Sequence, residues 1–138
     1  MTAARLACSF RVTTRHTGRP RAVAVKVYEN LAELRVAATA FTSAPAGHFA
    51  DALGVCHAYA DDGAGPSAAL IRLWRQRLGT SVIVHEITHA AAGIYRLDWL
   101  PEHGPMHDDL ENEEIFCYLV GDLTSRVVAR LHHYGMYA

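Results

Sequence analysis

One short run, Val84-His85-Glu86-Ile87-Thr88-His89-Ala90, constrains this chain more than any other. Around it Ile83, Ile87, Ala90, Ala91 and Ile94 recur at the spacing of one helix face, so Val82 to about Leu97 is predicted to be an amphipathic helix. Gly79 with Thr80 and Ser81 supplies the break and the N-cap before it. At about 100° per residue the two histidines point about 40° apart, one turn above each other and opposite the apolar stripe. Such a helix buries one side and turns both imidazoles out on the other. Ala92, on the histidine side, leaves room for a close neighbour.

That spacing lets His85 and His89 reach a single ion at roughly 2.1 Å, while Glu86 points about 100° from His85, beside the ion rather than onto it. A general base for a metal-bound water belongs there. A catalytic zinc also needs a third protein ligand. The segment Leu110 to Gly121 offers one on a second predicted helix, Leu110 to His132. Its bulky face is Phe116, Leu119, Leu123 and Val127, whereas Glu114 shares its side with Cys117, Gly121 and Ser125. A stripe of small residues permits close helix approach, so packing of that stripe on the histidine side would make Glu114 the third ligand and leave a fourth position open. Glu113, toward the flank of the bulky face, is the second candidate, and His103 and His107 in the intervening loop are rivals. Glu111 and Glu113 also suit the positive end of a helix without any metal. Tyr95, Tyr118, His103 and His107 are candidate oxyanion stabilisers. Cys117 reads as a spacer, and His16, His48, His57, His132 and His133 read as surface or structural residues.

The remaining sequence supplies a frame of α+β class. Arg21 to Tyr28 alternates and is valine-rich, as a strand is. Asn30 followed by Glu33 is an N-cap signature, with Leu31, Leu34, Ala38 and Phe41 at helical spacing until Pro45 and Gly47. Leu53 to Tyr59 and Ala69 to Trp74 read as two further strands, the second with a continuation that also suits a helix. Asp61 to Ser67 and Asp98 to Asp109 read as loops. The expected fold is a minimal domain: a short sheet, one packing helix, the histidine-bearing helix and a long C-terminal helix.

With 138 residues and a formal net charge of −1, one domain over 1–138 with a real core is expected, and no global field recruits nucleic acid or membrane. Arg5, Arg11, Arg15, Arg19, Arg21 and Lys26 all precede the first acidic residue, Glu29, so residues 1–20 are expected to form a solvated, frayed basic N-terminus. Three widely spaced cysteines without a Cys-x-x-Cys pair fit free thiols in a reducing compartment. No apolar run has the length of a signal peptide core or a membrane span, so the expected setting is the cytoplasm.

His85-Glu86-Ile87-Thr88-His89 resembles the helix signature of the zincin metallopeptidases. The metzincin branch is disfavoured, because Ala92 and Tyr95 stand where it requires glycine and histidine. Asn112-Glu113-Glu114 followed by Cys117-Tyr118 is similar to the glutamate-zincin arrangement, closer to compact zincin-like proteins of phages and mobile elements, and distantly similar to ImmA/IrrE-type peptidases. Over about Leu70 to Val128 the resemblance implies Zn²⁺ held by His85, His89 and a downstream glutamate, with Glu86 as base. Placement by Tyr118 selects Glu114, and placement by an Asn-Glu pair selects Glu113. Cys117-Tyr118 replaces the Ala-Asn of ImmA/IrrE-type proteins and no helix-turn-helix precedes the domain, so repressor cleavage is not implied. The expected function is zinc-dependent hydrolysis of a peptide bond in a protein or peptide substrate. The alternatives are a non-catalytic zincin-like binding or regulatory module and a hydrolase of non-peptide amides.

Overall fold

The computed structural model of the protein describes residues 4–59 and 67–137. The turn expected over Asp61–Ser67 lies outside the described residues, apart from Ser67. Strands β1 (Leu6–Thr14), β2 (Arg21–Tyr28), β3 (Gly54–Ala58) and β4 (Ala69–Trp74) form one sheet in the order β1-β2-β4-β3. β1 pairs antiparallel with β2, β2 parallel with β4, and β3 antiparallel with β4. Helix α1 (Leu31–Thr42) makes the crossover after β2. Helices α2 (Thr80–Asp98), α3 (Leu100–His103) and α4 (Leu110–His133) follow β4, with a 3₁₀ turn over Met106–Asp108.

The N-terminal stretch expected to fray is a strand. Phe10, Val12 and Thr14 are buried at alternate positions of β1, which pairs with β2 from Leu6 to Thr14. Arg11, the one arginine of this strand, alternates with Phe10 and Val12 on the less buried side. A turn through Gly18, whose φ of 95° suits a residue without Cβ, closes the hairpin.

Alternation along the central strands divides the core. Val23, Val25 and Val27 of β2 and Ala69, Ile71 and Leu73 of β4 meet α2 and α4 through Ile83, Ile87, Ile94, Leu119 and Leu123. Each such side chain contributes about 1.5–3 kcal/mol by leaving water. On the other face Tyr28 and Val55 pack under Leu34 and Ala38 of α1. As its sequence predicts, α1 begins with the Asn30 side chain accepting from the Glu33 N–H at 3.0 Å. This face also buries Arg72, whose Nε donates to His57 Nε2 at 3.1 Å and whose Nη1 donates to the Tyr28 hydroxyl.

Two polar clusters set the ends of α2. Asp98, at its C-terminus, accepts from Thr17 Oγ1 at 2.7 Å and from Arg21 Nε at 2.9 Å, which ties the helix to the β1–β2 hairpin. Beyond it the expected loop contains α3 and the 3₁₀ turn, organised by buried Asn112: its amide accepts from Trp99 Nε1 at 2.8 Å and donates to the carbonyls of His103 and Pro105. At the other end the Tyr137 hydroxyl donates to the Leu78 carbonyl at 2.9 Å. Helix α2 starts at Thr80 with Gly79 as N-cap and no side-chain cap, one position before the residues expected to cap it. Among the described residues no helix is long and apolar enough to cross a membrane.

Candidate metal centre

Helix α2 buries Ile83, Ile87, Ala90, Ala91 and Ile94, as its period predicts, and leaves His85 and His89 exposed. The imidazole centroids lie 4.9 Å apart with ring planes at 76°. One ligand atom each from His85, Glu86 and His89 falls within 4.8 Å of the others. Donors of a tetrahedral zinc stand roughly 3.4 Å apart when metal bonds are near 2.1 Å, so rotation of side chains without backbone movement brings the imidazoles to one ion. Two imidazole nitrogens beside a carboxylate are a donor set that fits a borderline-soft divalent cation.

Glu86 stands apart from the histidines in being 6 % exposed. It lies on the flank of α2 that meets the edge strand β3. The contact is closest at Gly54, where an added Cβ would sit 3.1 Å from Val82 Cγ1 and 3.2 Å from both Glu86 Cγ and Oε2. A second close approach lies two helical turns on, where a Cβ at Gly93 would meet the Ala58 side chain at 3.2 Å. Burial pushes the Glu86 carboxyl above the usual carboxylate range, and the neighbouring His85 and His89 charges pull part of the way back. A carboxyl raised in this way is a better proton acceptor near neutrality than an exposed one. Cys56 faces α2 from β3, and burial together with the Glu86 charge pushes its thiol up to about 12.

A cleft of about 410 Å³ opens at this contact, lined among others by Asp51, Leu53, Gly54, Ser81, His85 and Glu86. Arg35 of α1 donates from Nε to the carbonyl of Ala52, one of the cleft's lining residues, at 3.0 Å. A slightly larger hollow of about 450 Å³, between α1 and the turn at Gly47, is mostly apolar and remote from the histidines. The chemistry is concentrated in the smaller one.

The other residues singled out by sequence are dispersed. Helix α4 packs through Leu119, Leu123, Val127 and Leu131. The small stripe of Cys117, Gly121 and Ser125 is exposed, and a Cβ at Gly121 would meet nothing within 4 Å. The expectation that this stripe forms the helix–helix contact is corrected: apolar burial drives the packing, and small residues offer too little of it. Glu114 shares the exposed stripe, and Glu113 is exposed as well. Neither belongs to the gathered donor group. Glu113 leaves α4 about 20° from Thr124 by helical rotation, on the flank that meets Ile83 and Val84 of α2, whereas Glu114 points about 100° farther round.

Tyr95 is buried and donates its hydroxyl to the Gly104 carbonyl at 2.8 Å, so that group is committed to the loop. His103 stacks on Trp99 with centroids 3.9 Å apart, Tyr118 stacks on His16 at 5.4 Å, and His107 lies 3.3 Å from Asp108. Neither His103 nor His107 joins the donor group.

No family model, curated protein or solved structure matches this chain. The chemistry of the site is accordingly argued from its residues. What the sequence did not reveal was the partner of the histidine helix. Gly54 is one glycine among ten, and only its contact with Glu86 distinguishes it.

Proposed function

We propose that the protein is a zinc-dependent peptidase, with His85 and His89 holding the ion and Glu86 as general base. One observation carries the reading: a buried carboxylate stands beside two exposed imidazoles on one helix, and it and His85 line an open cleft. When bound, Zn²⁺ supplies Lewis acidity and lowers the pKa of water. Glu86 takes the proton of the attacking water and returns it to the leaving amine. A carboxylate held only for structure would have no need of burial beside two histidines.

A peptide as substrate is supported by β3. Among the described residues it is an edge strand of the sheet, and it packs beside α2 with Gly54 at Glu86 and Ala58 at Gly93. Such an edge accepts an extended chain through backbone hydrogen bonds. We propose that the third protein ligand comes from the first turns of α4, Glu114 by the motif or Glu113 as the second candidate; both are exposed and lie outside the gathered donor group. The cysteines Cys8, Cys56 and Cys117 are unpaired, which supports a reducing, cytoplasmic setting.

The deciding experiment is metal analysis and peptide hydrolysis for the wild type and Glu86→Ala. The variant keeps its zinc and loses turnover by about 10²–10⁴-fold. Normal hydrolysis by the variant, or a wild type without metal, removes the reading. The second reading, a non-catalytic metal-binding module, is favoured by one observation, that neither α4 glutamate belongs to the donor group. A zinc-loaded wild type that binds peptides and never cuts them would establish it.

A further inference from the structure

Tyr59 follows the last residue of β3 and has a φ of 60°, in the left-handed region that residues with bulky side chains seldom occupy. Its backbone N–H donates to the Ala68 carbonyl at 2.6 Å, which extends the β3–β4 ladder by one position and holds the main chain in that conformation. The side chain reaches across to α2, where its hydroxyl donates to the Gly93 carbonyl at 3.4 Å. Even so the residue is 55 % exposed. A large ring is thus displayed beside the histidine helix by an unusual backbone conformation, although its own burial in the core does not require that conformation. Outliers of this kind concentrate where a side chain has to be aimed.

Its position defines a use. Glu86 and Gly93 leave α2 within about 20° of each other and about 10 Å apart along the axis. That distance matches about three residues of an extended chain. A peptide laid on the free edge of β3 with its reacting bond at Glu86 therefore presents its side chain about three positions away to the Tyr59 ring.

We infer that Tyr59 is a specificity-determining residue: it forms an apolar, aromatic-faced subsite that selects a bulky apolar side chain about three residues to one side of the bond cut. The inference rests on the peptidase reading and deepens it by naming the substrate class. An aromatic face rewards contact with another ring or a branched aliphatic group and gives a small polar side chain little.

The test uses the full chain loaded with zinc and a positional-scanning array of short extended peptides. Binding is measured on the Glu86→Gln protein, and cleavage of the same peptides on the wild type. Bulky apolar residues are expected to be preferred roughly tenfold over alanine at one position about three from the cut. Tyr59→Phe, which keeps the ring, retains the preference. Tyr59→Asn removes the ring with a residue that tolerates the left-handed backbone, and it abolishes the preference while leaving the melting temperature near that of the wild type. An unchanged preference in Tyr59→Asn, no preference in the wild type, or no peptide binding at all overturns the inference. Binding that depends on Tyr59 without cleavage by the wild type overturns the peptidase reading and leaves the peptide subsite standing.

Discussion

Gly54 and Glu86 are in close contact: a Cβ on residue 54 would lie 3.2 Å from Glu86 Oε2 and 3.1 Å from Val82 Cγ1, so one of them would have to give way. The edge strand and the histidine helix are thereby locked together at the carboxylate proposed as the base. Gly54→Ala should displace the Glu86 side chain by a few tenths of an ångström and lower kcat by about tenfold, with zinc content unchanged. Equal kcat in the two proteins would show that Glu86 is not held by this contact.

The proposed metal donors can be separated by affinity. His85→Ala and His89→Ala should each weaken zinc binding by more than about a hundredfold, since even the groups that merely orient metal ligands contribute ten- to a hundredfold. Glu113→Ala and Glu114→Ala, titrated separately with a competing chelator, then show which carboxylate completes the set. If both bind zinc as the wild type does, the ion is held without α4 and the non-catalytic reading gains.

His57 predicts an acid-sensitive fold. It is 7 % exposed, and burial, reinforced by the Arg72 charge, lowers its pKa from 6.5 to about 4. Its Nε2 accepts from Arg72 and so has to be unprotonated. Above pH 6.5 neither the folded nor the unfolded chain protonates this ring, and its contribution is complete. As pH falls from about 6.5 to 4 the unfolded chain takes up a proton that the fold refuses, so stability drops by up to about 3 kcal/mol. Chemical denaturation across that range should show the loss in the wild type and a flatter profile in His57→Gln. Parallel profiles would remove His57 as the cause.

The Asp98 side chain is 4 % exposed and pairs with Arg21. Burial works against its ionisation, but hydrogen bonds from Arg21 and Thr17 and the Arg21 charge outweigh that, and its pKa lies below the usual range. The pair's contribution is present above the ordinary aspartate pKa and is lost as pH falls through the lowered one. Asp98→Ala leaves Arg21 without its partner and should destabilise the fold by about 3 kcal/mol, read as a lower melting temperature. A change under about 1 kcal/mol would place the pair among the weak surface bridges.

Much of this was legible in residue order, and the exceptions have a common cause. The α2 period, the Asn30 cap and the alternation in Arg21–Tyr28 are local signals, and each element formed where they stand. β1 was hidden because it lies in an arginine-rich stretch and buries only two large apolar residues at alternate positions, so its strand character appears only once Phe10 and Val12 have α4 to pack against. The short α3 depends on buried Asn112, a residue no periodicity marks.

Residue order alone determined that His85 and His89 share one side of an amphipathic helix and that Glu86 stands beside them, because helical rotation is a property of consecutive residues. Tertiary structure alone decided that β3 flanks this helix, that Gly54 presses on Glu86, that Tyr59 overhangs Gly93 and that the small-residue stripe of α4 faces solvent. Those outcomes depend on which apolar faces find each other across long stretches of chain, and that competition is resolved by the area each face buries rather than by the spacing within any one segment.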